Sequence, residues 1–173
     1  LINRLSVKDG RLVLPNGLTY RVLVLPDSTF MTPRTLARLH ELVAAGATIL
    51  GPRPTKSPSL EGFPACDAEV DRLAAELWGD IDGVNVKEHT FGKGRVIWGR
   101  TPEAVLAADG VGPDCRFTNA SGRLAWIHRV ADGADLYFVS NQMPRSQEVD
   151  ASFRVSGKMP ELWHADSGQI EAA

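Results

Sequence analysis

The 173-residue sequence is poor in cysteine, in charge excess and in long apolar runs. Cys66 and Cys115 are its two cysteines. They allow one bridge at most and no disulfide framework, and the sequence leaves open whether they pair. Neither stands in a C-x-x-C pair, so zinc and thioredoxin-type chemistry have no support and both read as small buried hydrophobes. Lys and Arg number 19 against 21 Asp and Glu, a formal net charge of -2. No basic surface for nucleic acid follows from that balance. No stretch approaches the roughly 18 apolar residues of a membrane span. The longest run, Leu42 to Leu50, is broken by Gly46 and Thr48. The chain opens at Leu1, without Met or a signal-type segment. This start suggests a processed product or an excised piece of something longer.

Motifs of catalysis are also missing. There is no G-x-S-x-G or G-x-C-x-G elbow to stand a nucleophile on a strained turn. Gly51-Pro52-Arg53-Pro54-Thr55-Lys56-Ser57 shares only its Lys-Ser with a phosphate-binding loop. Its prolines remove the backbone donors that such a loop needs. Gly92-Lys93-Gly94 reads as a hairpin turn. His40, His89, His128 and His164 form no i,i+4 pair and no metal spacing, so structural or solvated roles are expected, and no metal or cofactor. The carboxylates Asp67, Glu69 and Asp71 complement a helix start. No pair flanking a sugar bond can be identified. Asn119-Ala120-Ser121 fits the N-glycosylation pattern, which occurs often by chance.

The pattern that is present is α/β. Leu5, Val7, Leu12 and Leu14 alternate about an Asp9-Gly10 turn signal, and Pro15-Asn16-Gly17 is a second turn. Tyr20 to Leu25 reads as a nearly continuous apolar strand, the signature of a strand buried on both faces. Thr32 is placed to cap a helix with Pro33 at its first position. Leu36, Leu39, Leu42 and Val43 form its apolar stripe, and Gly46 its stop. Ala47 to Leu50 is the next strand, completing a βαβ unit. After a proline-rich loop, Asp67 is expected to cap a second helix with the stripe Val70, Leu73, Ala74, Leu77 and Trp78. Val84 to Phe91 and Val96 to Trp98 read as two strands, and Thr101-Pro102-Glu103 opens a short third helix. Beyond about residue 115 helical periodicity disappears. Leu124 to Arg129 and Leu136 to Val139 form a hairpin about Asp132-Gly133, followed by strands near Ser152 to Val155 and Glu161 to Trp163. The expected organisation is an α/β domain over residues 1–114 and an antiparallel β segment over 115–173.

In a parallel sheet, ligands bind past the carboxyl ends of the strands. That rule selects Asp27 and Ser28 after the first apolar strand, and Arg53 and Thr55 after the second. Arg53 suits a carboxylate or a sugar hydroxyl. The alternative is a loop tied down by charge pairs. Cys66, ahead of a helix, is a weaker candidate because no strand feeds into it and no His is near it in sequence.

Several segments carry a family resemblance: Leu18 to Pro26, Met31-Thr32-Pro33, Val43 to Pro54, Gly92 to Gly99, Tyr137 to Asn141 and Pro160 to Trp163. In this order they resemble the region after the catalytic barrel in bacterial α-L-rhamnosidase-type glycoside hydrolases (glycoside hydrolase family 106). The resemblance implies a flavodoxin- or glutamine-amidotransferase-like parallel-sheet domain, then the start of a β-sandwich. It implies a piece of a multidomain enzyme of carbohydrate metabolism, with other domains of the same polypeptide as partners, a homo-oligomer as an open option, and a periplasmic or secreted parent. No catalytic residue carries over. The leading expectation is a noncatalytic accessory domain. The others are a binding module for a glycan or small ligand at Asp27 and Arg53, and an amidotransferase-type enzyme at Cys66.

Overall fold

The computed structural model describes residues 2–118 and 121–172. Asn119 and Ala120 of the glycosylation tripeptide lie outside them. The chain divides into two compact units, Leu1–Val111 and Gly112–Ala173.

In the first unit a 3-10 turn, Ile2–Arg4, leads into β1 (Ser6–Lys8) and β2 (Arg11–Val13), an antiparallel hairpin. β3 (Thr19–Tyr20) pairs with β2, and β4 (Val22–Val24) follows one residue later. The continuous strand expected over Tyr20 to Leu25 is thus divided. Its first part joins the antiparallel hairpin and its second joins the central sheet, with Arg21 as the corner. The partner of β3 is the neighbouring strand β2, across the Pro15-Asn16-Gly17 turn, whereas the partner of β4 lies 26 residues further on, Thr48 opposite Val22, so the run alone does not show which sheet each half joins.

Helix α1 (Pro33–Ala44) begins as its sequence directs. The Thr32 hydroxyl accepts the Thr35 N–H at 3.3 Å, and Pro33 occupies the first turn. β5 (Thr48–Leu50) is buried along its length. Helix α2 spans Ala65–Trp78 and starts before Asp67. Asp67 lies in the first turn, not at the cap, and its carboxylate accepts the Ser57 N–H at 2.9 Å. It fastens the proline-rich loop to the helix. β6 (Glu88–Phe91) and β7 (Gly94–Ile97) form a hairpin, and α3 (Pro102–Ala108) is capped by Thr101, whose hydroxyl accepts the Ala104 N–H at 3.2 Å. Val84 and Val86 precede β6 and belong to a loop.

The central sheet has the order β4-β5-β7-β6. β4, β5 and β7 run parallel, and β6 is antiparallel. The remaining pairings between named strands are antiparallel. The expectation of a flavodoxin- or amidotransferase-like parallel sheet therefore needs correcting to a mixed α/β fold of several small sheets and three helices. The physical reason is the tight β6–β7 turn: the two-residue connection Gly92-Lys93 can return a strand only antiparallel, whereas a parallel neighbour needs a crossover.

The two middle strands are covered on both faces. Ile49 and Val96 pack with Leu36, Leu39 and Val43 of α1 and with Val70, Leu77 and Trp78 of α2. Leu50 and Ile97 pack with Val105 of α3. This double cover explains why β5 is buried along its whole length, with Ile49 and Leu50 adjacent and apolar. Leu5, Leu12, Leu42 and Ala47 make a third cluster under the first hairpin.

The second unit contains β8 (Cys115–Thr118), β9 (Leu124–Ala131), β10 (Ala134–Asn141), β11 (Asp150–Phe153), β12 (Glu161–Trp163) and β13 (Ile170–Ala172). They pair as β8–β11, β9–β10 and β12–β13. The β9–β10 turn uses Asp132 and Gly133 at φ 50° and 78°, the left-handed pair that a two-residue hairpin requires.

Candidate functional site

Because β4, β5 and β7 are parallel, their carboxyl ends open on one side of the first unit. The ladder continues past them: the Leu25 N–H donates to the Leu50 carbonyl at 2.8 Å, and the Gly51 N–H donates to the Ile97 carbonyl at 2.9 Å. Three chain segments meet there around a shallow depression of about 280 Å³. Its apolar floor includes Leu25, Leu50 and Pro52, and Asp27, Trp98 and Arg100 also line it.

Asp27 is exposed, and no hydrogen bond or ion pair engages its carboxylate among the described residues. Arg100 lies 3.5 Å from Glu88, which itself bonds Arg95 at 3.2 Å. Trp98 is half-buried and packs against the main core. Gly83 presses on its indole: a Cβ at 83 would fall 2.8 Å from Cδ2, in a backbone with φ of +75°. Glycine is required at that contact.

The loop that carries Gly83 is organised by Asp82. One carboxylate oxygen accepts the N–H groups of Val84, Asn85 and Val86 at 2.8, 2.7 and 2.9 Å, and the other accepts the Asn85 amide at 3.0 Å. The Val84 N–H, then the Asn85 side chain, hold the carboxyl well below its ordinary value, at about 2. A carboxyl depressed on folding contributes stability that is fully present above its unfolded pKa near 3.8 and lost as pH falls through the folded value. On acidification the Val84 and Val86 amide shifts should therefore titrate with a midpoint at about 2. Asp82→Asn should remove the transition, and a midpoint at the ordinary aspartate value would contradict this account.

Of the residues selected from the sequence, Asp27 alone lines the depression. The Ser28 hydroxyl accepts the Phe30 N–H at 3.2 Å within its own loop. Arg53 donates to Asp71 at 2.8 Å, so the charge-pair alternative describes its geometry. The Thr55 N–H donates to the Thr29 carbonyl at 2.8 Å. Cys66 is buried at the start of α2, with its thiol 3.7 Å from the Ser59 carbonyl. Trp98 and Arg100 were not selected. The signal for them was available in the same strand-end rule, but β7 reads locally as a hairpin strand and gives no hint that it is also the third parallel strand.

The second unit holds a separate ionic cluster. His128 places Nδ1 2.6 Å from Asp114 and Nε2 2.8 Å from Asp135. Its ring stacks on Tyr137 with centroids 4.1 Å apart, and Tyr137 packs on Phe153 at 4.6 Å. Arg154 donates to the second oxygen of Asp114 at 2.9 Å, and Lys158 pairs with Asp135. Bonds from Lys158 and then His128 lower the Asp135 carboxyl below its ordinary range. The cluster ties the approach to β8, both strands of the β9–β10 hairpin and the segment after β11, so the role of His128 is structural. Among the described residues no group of three or more His, Cys, Asp or Glu side chains is placed to hold a metal ion. Among the described residues, no helix is long and apolar enough to cross a membrane.

The model of the alpha-L-rhamnosidase family, glycoside hydrolase family 106, matches residues 1–173. A Formosa agariphila protein named "Putative beta-glucuronidase" is 38% identical over 170 residues, covering 98% of this chain and 14% of that protein. The structure of a rhamnosidase from Novosphingobium sp. PP1Y superposes with a TM-score of 0.83 at 36% identity, over 97% of this chain and 16% of that one. The chain thus spans about one-seventh to one-sixth of the length of these relatives.

Proposed function

The chain belongs to the alpha-L-rhamnosidase family, glycoside hydrolase family 106, and from that premise we propose that it is a noncatalytic accessory region of a larger glycoside hydrolase acting on rhamnose-containing glycans. The observation that carries this reading is coverage. Nearly all of the chain matches its relatives, while it matches 14% and 16% of their lengths. The first unit, with its βαβ order, serves in this reading as a mixed α/β scaffold.

The second unit supports the same reading through its surface. Residues paired across an antiparallel hairpin share a face, so Ile127, Leu136 and Phe138 stand together with Ala125, Ala131 and Ala134, beside Arg129 and Ser140. Ile127 is 53% exposed and Phe138 59%. Trp163 and Ile170 of the β12–β13 pair are also exposed. Apolar side chains clustered on a sheet face are suited to cover by other parts of a longer polypeptide.

Two measurements test the proposal. The 173-residue chain should leave an aryl α-L-rhamnoside unhydrolysed. Turnover abolished by changing one of its own side chains would overturn the noncatalytic role. In sedimentation the same chain should self-associate as concentration rises, and Ile127→Ser with Phe138→Ser should suppress the association. A monomer at every concentration would speak against a face built for cover.

A further inference from the structure

We propose that the depression at the carboxyl ends of β4, β5 and β7 is a binding site for a neutral saccharide ring, which stacks on Trp98 and takes hydrogen bonds from Arg100 and gives them to Asp27. The proposal rests on the first unit alone and holds whether or not the chain is an accessory region.

The chemistry of the lining selects this ligand class. At about 280 Å³ the depression is at the small end of ligand sites, sized for a single ring. A pyranose has an apolar C–H face and an edge of hydroxyls, each both donor and acceptor. The floor of Leu25, Leu50 and Pro52 with the indole of Trp98 suits the face. The edge needs one strong acceptor and one strong donor. Asp27 is an acceptor that no described residue engages. Arg100 offers a fork of donors, of which the 3.5 Å approach of Glu88 engages one side.

The local charge argues against other small ligands. Asp27 repels phosphates and carboxylates, and Glu88 offsets the one cation that would attract them. Arg100 in turn disfavours amines. The site is also held in shape by the surrounding fold. Gly83 braces the indole, and the Trp78 indole N–H donates to the Gly51 carbonyl at 3.1 Å, fixing the β5 side of the depression. Little ordering is then required when a ligand binds.

The test is a titration of the ¹⁵N-labelled 173-residue chain, followed by NMR, with methyl α-L-rhamnopyranoside, methyl β-D-glucopyranoside and inorganic phosphate. At least one glycoside should shift the Trp98 indole N–H and the Gly51 and Gly99 amides, saturating in the millimolar range. Asp27→Asn and Arg100→Met should each weaken that binding about tenfold, the size expected for a hydrogen bond to a charged group. Trp98→Ala should abolish it, but Trp98 packs on the core, so the two exposed substitutions carry the test if that variant fails to fold. The proposal is overturned if neither glycoside shifts these signals by about 50 mM. It is equally overturned if the shifts survive both exposed substitutions, or if phosphate saturates the same signals.

Discussion

Replacing Trp78 by alanine is expected to unfold the first unit or bring it close to unfolding. Trp78 is fully buried at the end of α2 and is the largest such side chain among the described residues. It packs in the cluster shared by Ile49, Val96, Leu36 and Leu77, so truncation opens a cavity where both helices meet the sheet. Phe or Trp to Ala changes of this kind cost about 3–5 kcal/mol, a large part of the roughly 5–15 kcal/mol that holds a domain together. Trp78→Phe separates packing from hydrogen bonding. It keeps most of the ring but removes the donor that meets the Gly51 carbonyl at 3.1 Å, leaving a buried acceptor unpaired at about 1–3 kcal/mol. Urea denaturation of the three proteins would give the order wild type, Trp78→Phe, Trp78→Ala. Equal midpoints for wild type and Trp78→Ala would show that the assigned core is wrong.

A single methyl group at Gly94 should be nearly as damaging. Gly94 is buried where β7 begins. An added Cβ would lie 2.3 Å from the Ala47 carbonyl oxygen and 2.4 Å from that of Val43. Both are backbone atoms, one at the end of α1 and one leading into β5, so no side chain can swing away. The helix, the strand or the β6–β7 turn must move instead. Overpacking of this kind sits at the upper end of its usual cost, about 3 kcal/mol, and Tm should fall by about 10 °C. Gly112→Ala is the control, because its added Cβ meets nothing within 4 Å and its backbone is not left-handed. A Tm for Gly94→Ala within about 2 °C of wild type would mean that β7 does not approach α1 as closely as described.

The glycine and tryptophan effects have different visibility in the sequence. Trp78 stands in a helical stripe, and its burial follows from period alone. Gly94 sits in a Gly-Lys-Gly turn that would be written the same way whatever lay beneath it. Its contact with Val43 and Ala47 appears only when the hairpin is folded onto α1. The same distinction applies to the candidate site. Asp27 was reached by a rule about strand ends, whereas Arg53 and Thr55, reached by the same rule, are engaged by Asp71 of α2 and by the Thr29 carbonyl.

Short-range chemistry alone determined the elements of this protein: Thr32-Pro33 and Thr101-Pro102 start helices, Asp9-Gly10 and Asp132-Gly133 turn hairpins, and the adjacent apolar pair Ile49-Leu50 of β5 demands cover on both faces. These interactions act over four residues or fewer, so they are written locally. Tertiary structure decided which sheet each strand joined, and hence where the site lies. Val22 pairs with Thr48 and Thr48 with Arg95, and these pairings split one apolar run between two sheets and bring Trp98 and Arg100 to Asp27. Such pairings are chosen by the burial of remote side chains against one another, a quantity that no local window of sequence contains.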